Sequence, residues 1–367
     1  DPSIAAACRT RGEALHYHLM TQVRQQFNSQ ELSIVLSHYD LGAVQDVREF
    51  ARGSHAAAKV VVTTDRGRYL LKRRPKGRDD PFRVAFAHSL QNFLASKNFP
   101  LPHLIGTRGD NNSMLKIGES LYEAFEFIEG VACDGGLVAT YEAGRTLGLY
   151  HQIVKTVLAE DKPPQGHYHE SQIVIDAFPQ MAQVLARTPT VVGHEAELKQ
   201  VLIDLRAAYK DAAEKVNDLG IRSWETQIVH SDWHPGNMIF DRGHVVAVID
   251  FDAARIRQRV LDISNGCLQF SMIAGGRDLT TWEAKADVLR AKRFLRGYDE
   301  QNVVTHAELN SVPLLMLEAL IAQAVSPIVR TGTFAGLDGF GFLKVMLKKV
   351  IWLQENRELL KLDDEES

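Results

Sequence analysis

Two short motifs constrain this chain more than any other feature. His230-Ser231-Asp232-Trp233-His234-Pro235-Gly236-Asn237 is followed, thirteen positions after Asn237 (250 − 237), by the acid of Val248-Ile249-Asp250-Phe251-Asp252. The flanking residues specify local structure. Thr226-Gln227-Ile228-Val229 is apolar and β-prone and runs into His230. Met238-Ile239-Phe240 is a second such run, Asp241-Arg242-Gly243-His244 is a turn, and Val245-Val246-Ala247-Val248-Ile249 is a third run ending at Asp250. The reading is loop, strand, turn, strand, acid, which brings Asn237 and Asp250 to the edges of one small hairpin. An amide carbonyl and a carboxylate are the hard oxygen donors that magnesium takes. The plain alternative is a surface loop holding an Asp and an Asn, with a further Asp closing a strand.

His-x-Asp-x-x-x-x-Asn alone is weak; the hairpin and the second motif give it weight. Residues 230–252 resemble the aminoglycoside phosphotransferase and choline kinase-like superfamily, and His234-Pro235-Gly236-Asn237 is the form usual there. The resemblance implies an α+β, two-lobed protein kinase-like fold, with a small antiparallel-sheet N-lobe and a larger, mainly helical C-lobe. It implies Asp232 as the catalytic Asp, Asn237 and Asp250 as magnesium ligands, and Asp252 as an accessory acid.

The N-terminal half is consistent with such an N-lobe. Residues 11–38 are expected to be helical, with Leu15, Leu19, Val23 and Phe27 at four-residue spacing and a second short helix after Ser29. Strands are expected at 44–50, 59–64 and 68–72, the last two joined by an Asp65-Arg66-Gly67 turn. Between the first two lies a loop of small residues, Ala51-Arg52-Gly53-Ser54-His55-Ala56-Ala57-Ala58, whose backbone could approach phosphate oxygens at Gly53 and Ser54. It has one Gly where protein kinases have three, so an ordinary hairpin connection is the competing reading. Tyr69-Leu70-Leu71-Lys72 resembles the third-strand Val-Ala-Ile-Lys pattern, which implies that Lys72 reaches the α- and β-phosphates. The following basic run, Arg73 to Arg78, reads as a solvated loop.

In protein kinases this lysine pairs with a Glu on the next helix. The helix expected over 81–97 has neither Glu nor Asp. Asp79 and Asp80 stand at its start, where carboxylates serve the helix dipole; His88 and Gln91 are polar residues within it. Lys72 is therefore oriented by one of these, by an acid from elsewhere, or it does not have this role. Ser120-Leu121-Tyr122-Glu123-Ala124-Phe125-Glu126-Phe127-Ile128-Glu129-Gly130 reads as a strand leading into a hinge. By resemblance, backbone groups from Glu126 to Ile128 meet the adenine ring.

From about residue 140 the chain reads as helical: 141–157, 171–186, 193–216, 281–298, 305–328 and 338–361. His151 is expected to pack. His167 and His169 lie in a Pro- and Gly-rich loop with no third ligand in register, so no zinc site is expected. Asp262 is expected to be structural, opening the helix that follows the second motif. Trp233, Phe270, Trp282 and Tyr298 are candidates for an acceptor pocket, with burial in the core as the commoner fate of such rings. The connection after Asp252 is short, and no Ala-Pro-Glu-like anchor follows, which favours a small-molecule acceptor over a protein.

The 367 residues suffice for N-terminal helices (1–43), a nucleotide-binding N-lobe (44–129) and a catalytic and acceptor-binding C-lobe (130–367). A net charge of −4 supplies no field for nucleic acid. Cys8, Cys133 and Cys267 are scattered, fitting a reducing compartment. No consecutive apolar run approaches 18 residues and the first residues do not read as a secretory leader, so neither a membrane span nor export is expected, and the cytoplasm is the expected location. The expected activity is ATP- and Mg²⁺-dependent phosphorylation of a hydroxyl on a small metabolite: an amino alcohol, amino acid, sugar or aminoglycoside. His38-Tyr39-Asp40-Leu41-Gly42 and Asp79-Asp80-Pro81-Phe82 look similar to homoserine kinase-like and spore-coat-kinase-like branches. The competing readings are a catalytically inactive ATP-binding scaffold, favoured by the missing helix Glu and the thin glycine loop, and a protein-serine/threonine kinase.

Overall fold

The computed structural model describes residues 24–53, 56–157, 166–273, 275–360 and 362. The first described element is helix α1 (Ser29–Ser37), capped by the Asn28 side chain, which accepts the Glu31 N–H. Residues 24–28 are not helical, so the helix expected through Phe27 does not extend there, and its earlier part lies outside the described residues. Strands β1 (Val44–Glu49), β2 (Lys59–Thr64) and β3 (Arg68–Arg73) follow, then α2 (Pro81–Ser96), β4 (Leu104–Ile105), β5 (Leu115–Ile117) and β6 (Ser120–Glu126). They form one six-stranded antiparallel sheet in the order β1-β2-β3-β6-β4, with β5 also on β6. Val60, Val62, Leu71 and Ala124 alternate onto one face and pack with Val35, Tyr39 and Leu41 into a small core. The opposite face carries the polar residues that matter below.

Helix α2 starts where its sequence directs. Pro81 occupies the first turn and the Asp80 carboxylate accepts the Phe82 N–H at 3.0 Å. Its apolar stripe, Phe86, Ala87, Leu90 and Leu94, joins the core of the C-lobe, not that of the sheet. The helix thus sits astride the boundary expected at 129.

The C-lobe contains α3 (Leu137–Val154), α4 (Gln172–Leu185), α5 (Glu195–Asp218), strand β7 (Thr226–Val229), the hairpin β8 (Met238–Asp241) and β9 (His244–Val248), strand β10 (Arg255–Gln258), α6 (Val260–Ser271), α7 (Val288–Gln301), α8 (His306–Thr331), the short pair β11 (Thr333–Phe334) and β12 (Leu337–Asp338), and α9 (Gly339–Glu355). Helices α3 and α7 cross closely because each presents a glycine: a methyl at Gly144 would meet the Phe294 carbonyl, and one at Gly297 the Tyr141 carbonyl. Helix α7 begins later than the expected 281, because Asp287 provides the cap, accepting the Arg290 N–H at 3.1 Å. Helix α8 is long and apolar enough, by length and composition, to cross a membrane, so the expectation drawn from uninterrupted apolar runs understated it. Its burial accounts for the composition: Val312, Leu315, Met316, Ile321 and Ile328 are in the lobe's core.

Candidate active site

Strand β7 delivers the chain into the first motif, and β10 pairs antiparallel with it, placing Arg255 opposite Val229. The turn from 230 onward is held from beneath by Asp262 in the first turn of α6. Its carboxylate accepts the N–H of His230 at 2.6 Å and of Ser231 at 2.8 Å, and the His151 ring lies at 3.3 Å. Asp262 is structural, as expected, and His151 is a packing residue that also bonds Tyr298 Oη at 2.9 Å. His230 is fully buried among Phe251, Trp233 and Tyr150. Burial pushes its pKa down, and its Nδ1 accepts the Asp232 N–H at 3.3 Å. Asp262→Asn is expected to cost about 3 kcal/mol in urea unfolding, since an amide replaces a charged acceptor of two N–H groups, one buried and one part-buried. A cost under about 1 kcal/mol would remove Asp262 from this support role.

Asp232 sits at the rim of this buried base. One carboxylate oxygen, Oδ2, accepts Asn237 Nδ2 at 2.9 Å and lies 3.6 Å from His234 Nε2; its backbone carbonyl accepts the same Asn237 nitrogen at 3.0 Å. The other oxygen takes no hydrogen bond among the described residues. Partial burial works to raise the carboxyl's pKa, but His234, with His230 and Asn237, outweighs it and pushes the group down to about 2. Asn237 is buried, and with its nitrogen committed to Asp232 its carbonyl Oδ1 is left as an acceptor.

The hairpin does what its sequence implied. Met238 pairs with Val248, and the Ile249 N–H donates to the Asn237 carbonyl at 3.0 Å, so the ends leading to Asn237 and Asp250 are adjacent. Asp250 has φ +65° and Ser231 φ +64°, both left-handed, a conformation costly for residues with a Cβ. Each motif thus holds one non-glycine residue in the left-handed region. An amide oxygen at Asn237 and a carboxylate at Asp250 are donor types that a hard cation takes. Among the described residues no three His, Cys, Asp or Glu side chains group as a metal site, so phosphate or water oxygens would have to complete the shell.

Above this edge the sheet carries an ionic cluster centred on Glu123. The residue lies on β6 directly opposite Lys72 on β3. Its side chain is 1% exposed, 3.4 Å from Lys72 Nζ, 2.8 Å from Arg74 Nε and 2.7 Å from His88 Nε2. Burial alone would raise its pKa; Lys72, His88 and Arg74 together hold it well below the usual carboxylate range. Burial likewise disfavours the Lys72 ammonium, and Glu123 and Asp252 more than restore it. The acid that orients Lys72 therefore comes from a neighbouring strand, while the helix contributes His88, itself fixed by Ser113 Oγ at 2.8 Å. Asp79 and Asp80 stay at the helix start. A signal was present: Glu123 is a lone acid within the apolar strand Leu121-Tyr122-Glu123-Ala124-Phe125.

Arg74 and Asp252 both depart from expectation. Arg74 is not a solvated loop residue: its side chain is 4% exposed and forks onto Asp252, Nη2–Oδ1 2.5 Å and Nη1–Oδ2 3.1 Å. Asp252 is consequently committed to Arg74 across the lobes and is not a free accessory acid. At the hinge, the Glu126 N–H donates to the His103 carbonyl and the Phe127 N–H to that of Arg68, so neither amide is open to a purine; the Ile128 N–H has no such partner among the described residues. Gly53 has φ +76°, while Ser54 lies outside the described residues. Trp233, Phe270 and Tyr298 are buried in the core, Trp233 donating to the Ala143 carbonyl at 3.2 Å, and Trp282 is only partly covered.

The chain matches the phosphotransferase enzyme family (APH) over residues 46–304, most of its length and both halves of the cleft. It belongs to that family. No curated protein matches it by sequence. Among solved structures, an aminoglycoside phosphotransferase from Alicyclobacillus acidocaldarius is similar at TM-score 0.65 and 18% identity, covering 93% of this chain and 99% of that one. The amicoumacin kinase hAmiN, solved with AMP-PNP, Ca²⁺ and its ligand Ami, gives 0.64 and 16%, covering 92% and 96%. A microcompartment-associated aminopropanol kinase gives 0.63 and 13%, covering 92% and 99%. The fold is the two-lobed protein kinase-like one, and the family is one of phosphotransferases.

Proposed function

We propose that this phosphotransferase uses ATP and Mg²⁺ to phosphorylate a hydroxyl of a small metabolite, with an amino alcohol, amino acid, sugar or aminoglycoside as the classes to try. The observation that carries the reading is the posture of Asp232, pinned by Asn237 through one oxygen and open at the other. In this reading the acceptor hydroxyl donates to the open oxygen and is aligned for in-line attack on the γ-phosphorus. The new O–P bond forms as the bond to ADP breaks, and the hydroxyl proton passes to Asp232. Lys72, the loop at Gly53 and the Ile128 amide hold the nucleotide. Asn237 Oδ1 and Asp250 would hold Mg²⁺, which when bound offsets phosphate charge. Positioning and charge compensation carry most of the rate.

Two features support a small acceptor in an active enzyme. Strand β10 begins at Arg255 and α6 at Val260, so little chain separates Asp252 from the next helix for docking a protein segment. The missing helix Glu, which favoured an inactive scaffold, is replaced by Glu123. The test is ATP consumption with Mg²⁺ against a panel of amino alcohols, amino acids, sugars and aminoglycosides. Acceptor-dependent turnover that disappears in Asp232→Asn is expected. ATP binding without turnover on any panel member would favour the scaffold reading, and phosphate transfer only to a generic protein substrate would favour a protein kinase.

A further inference from the structure

The row of side chains across the sheet does not end at Lys72. Lys59 on β2 is its direct antiparallel partner, so Lys59, Lys72 and Glu123 lie side by side on three adjacent strands. Like charges set opposite one another in a sheet are unfavourable, and two of the acids nearby are already engaged: Glu123 by Lys72, Arg74 and His88, and Asp252 by Arg74. No acid lies within ion-pair distance of Lys59 among the described residues. Its Nζ instead donates to the Arg52 carbonyl at 2.6 Å, at the root of the small-residue loop, and lies 5.9 Å from the Phe50 ring centre. Burial first, then Lys72 and Arg24, push its pKa down to about 8, against a smaller pull from Asp250. A cation kept beside another cation, partly desolvated and without a counter-ion, is unfavourable in the free protein and becomes favourable when an anion arrives.

The described start of the loop lies against this head group. Gly53 is left-handed at φ +76°, and a methyl there would stand 2.7 Å from Lys59 Nζ. A side chain at 53 would displace the lysine or distort the loop.

We infer that Lys59 is a second phosphate-binding residue, which with Lys72 grips the polyphosphate of a nucleoside triphosphate from beneath the loop at Gly53. The inference rests on the reading above that the nucleotide lies under this sheet. Lys59 reaches the anion from the loop side, Lys72 from the Glu123 side. One lysine is held by an acid and the other only by a backbone carbonyl, so Lys59 is the one whose charge the ligand must satisfy.

Titration calorimetry with MgATP, MgADP and adenosine on the wild type, Lys72→Met, Lys59→Met and Lys59→Arg tests this. Expected are a tenfold or greater loss of ATP affinity in Lys59→Met, a less than twofold change for adenosine, and recovery of most of the loss in Lys59→Arg. Thermal unfolding without nucleotide is expected to show no destabilisation in Lys59→Met, since an uncompensated cation has gone. If the methionine variant does not fold, Lys59→Gln takes its place with the same expectations. ATP affinity within twofold of wild type in Lys59→Met, while Lys72→Met weakens it, overturns the inference and leaves the nucleotide reading intact. Equal losses for ATP and adenosine also overturn it, because Lys59 would then only shape the loop. If the wild type binds no adenine nucleotide, the nucleotide reading itself falls and this inference with it.

Discussion

Asp232→Asn is expected to lower turnover about a thousandfold while ATP affinity stays within about threefold of wild type. The substitution is nearly isosteric, and the asparagine carbonyl can still accept from Asn237 Nδ2. What disappears is the charged oxygen that takes the acceptor's proton in the proposed mechanism. Steady-state kinetics with the acceptor found by screening, together with calorimetric ATP binding, measure both quantities. A variant retaining a tenth of wild-type turnover would remove Asp232 from the chemistry. The pH dependence follows from the same contacts. With its pKa pushed down to about 2, Asp232 is ionised throughout the range in which the protein can be assayed. Turnover should therefore show no acid limb from this group above about pH 4, and any limb near neutrality must belong to the acceptor or to another residue.

Glu123→Gln is expected to destabilise the fold by about 3–5 kcal/mol and to lower kcat/KM for ATP at least tenfold. The glutamine keeps the shape but leaves Lys72 without its partner and Arg74 with Asp252 alone. Both cations are mostly buried, and an unpaired buried charge is far more costly than a buried pair is stabilising. Urea unfolding reads the first effect and initial rates the second; a loss below 1 kcal/mol would mean that the cluster is solvated in solution. The wild-type carboxyl is held below its unfolded value, so its contribution to stability is complete above the unfolded pKa of about 4.3 and fades as acid carries the pH down toward the folded value. The glutamine variant should lack that component of acid sensitivity.

What could be read from the sequence was whatever local chemistry decides. The β8–β9 hairpin was legible because apolar runs and an Asp-Arg-Gly turn lie contiguously, and Asp80 because a cap acts on residues two positions away. Glu123 was visible as an oddity, but its partnership with Lys72 depends on strand register between elements far apart in sequence. Arg74 looked like one more solvated cation, since a run of basic residues does not reveal which member points inward. The missing helix acid looked like a defect only while the helix was taken as the sole source of a partner. Trp233 and Tyr298 could equally have lined a pocket; the glycine-mediated approach of α3 and α7 seals them in, and that is a property of the assembled lobe.

Helix α8 has a consequence for how the protein is made. It rests on α4, α5 and α6, with α9 adding a last cover. The three supporting helices all precede it in the chain, so as the ribosome releases this membrane-like segment its binding surface has already been synthesised. A nascent stretch this apolar invites aggregation or capture by insertion machinery if left bare. The order of elements shortens that interval to the time of docking, and a circular permutant that places residues 306–331 ahead of residues 172–271 would lengthen it.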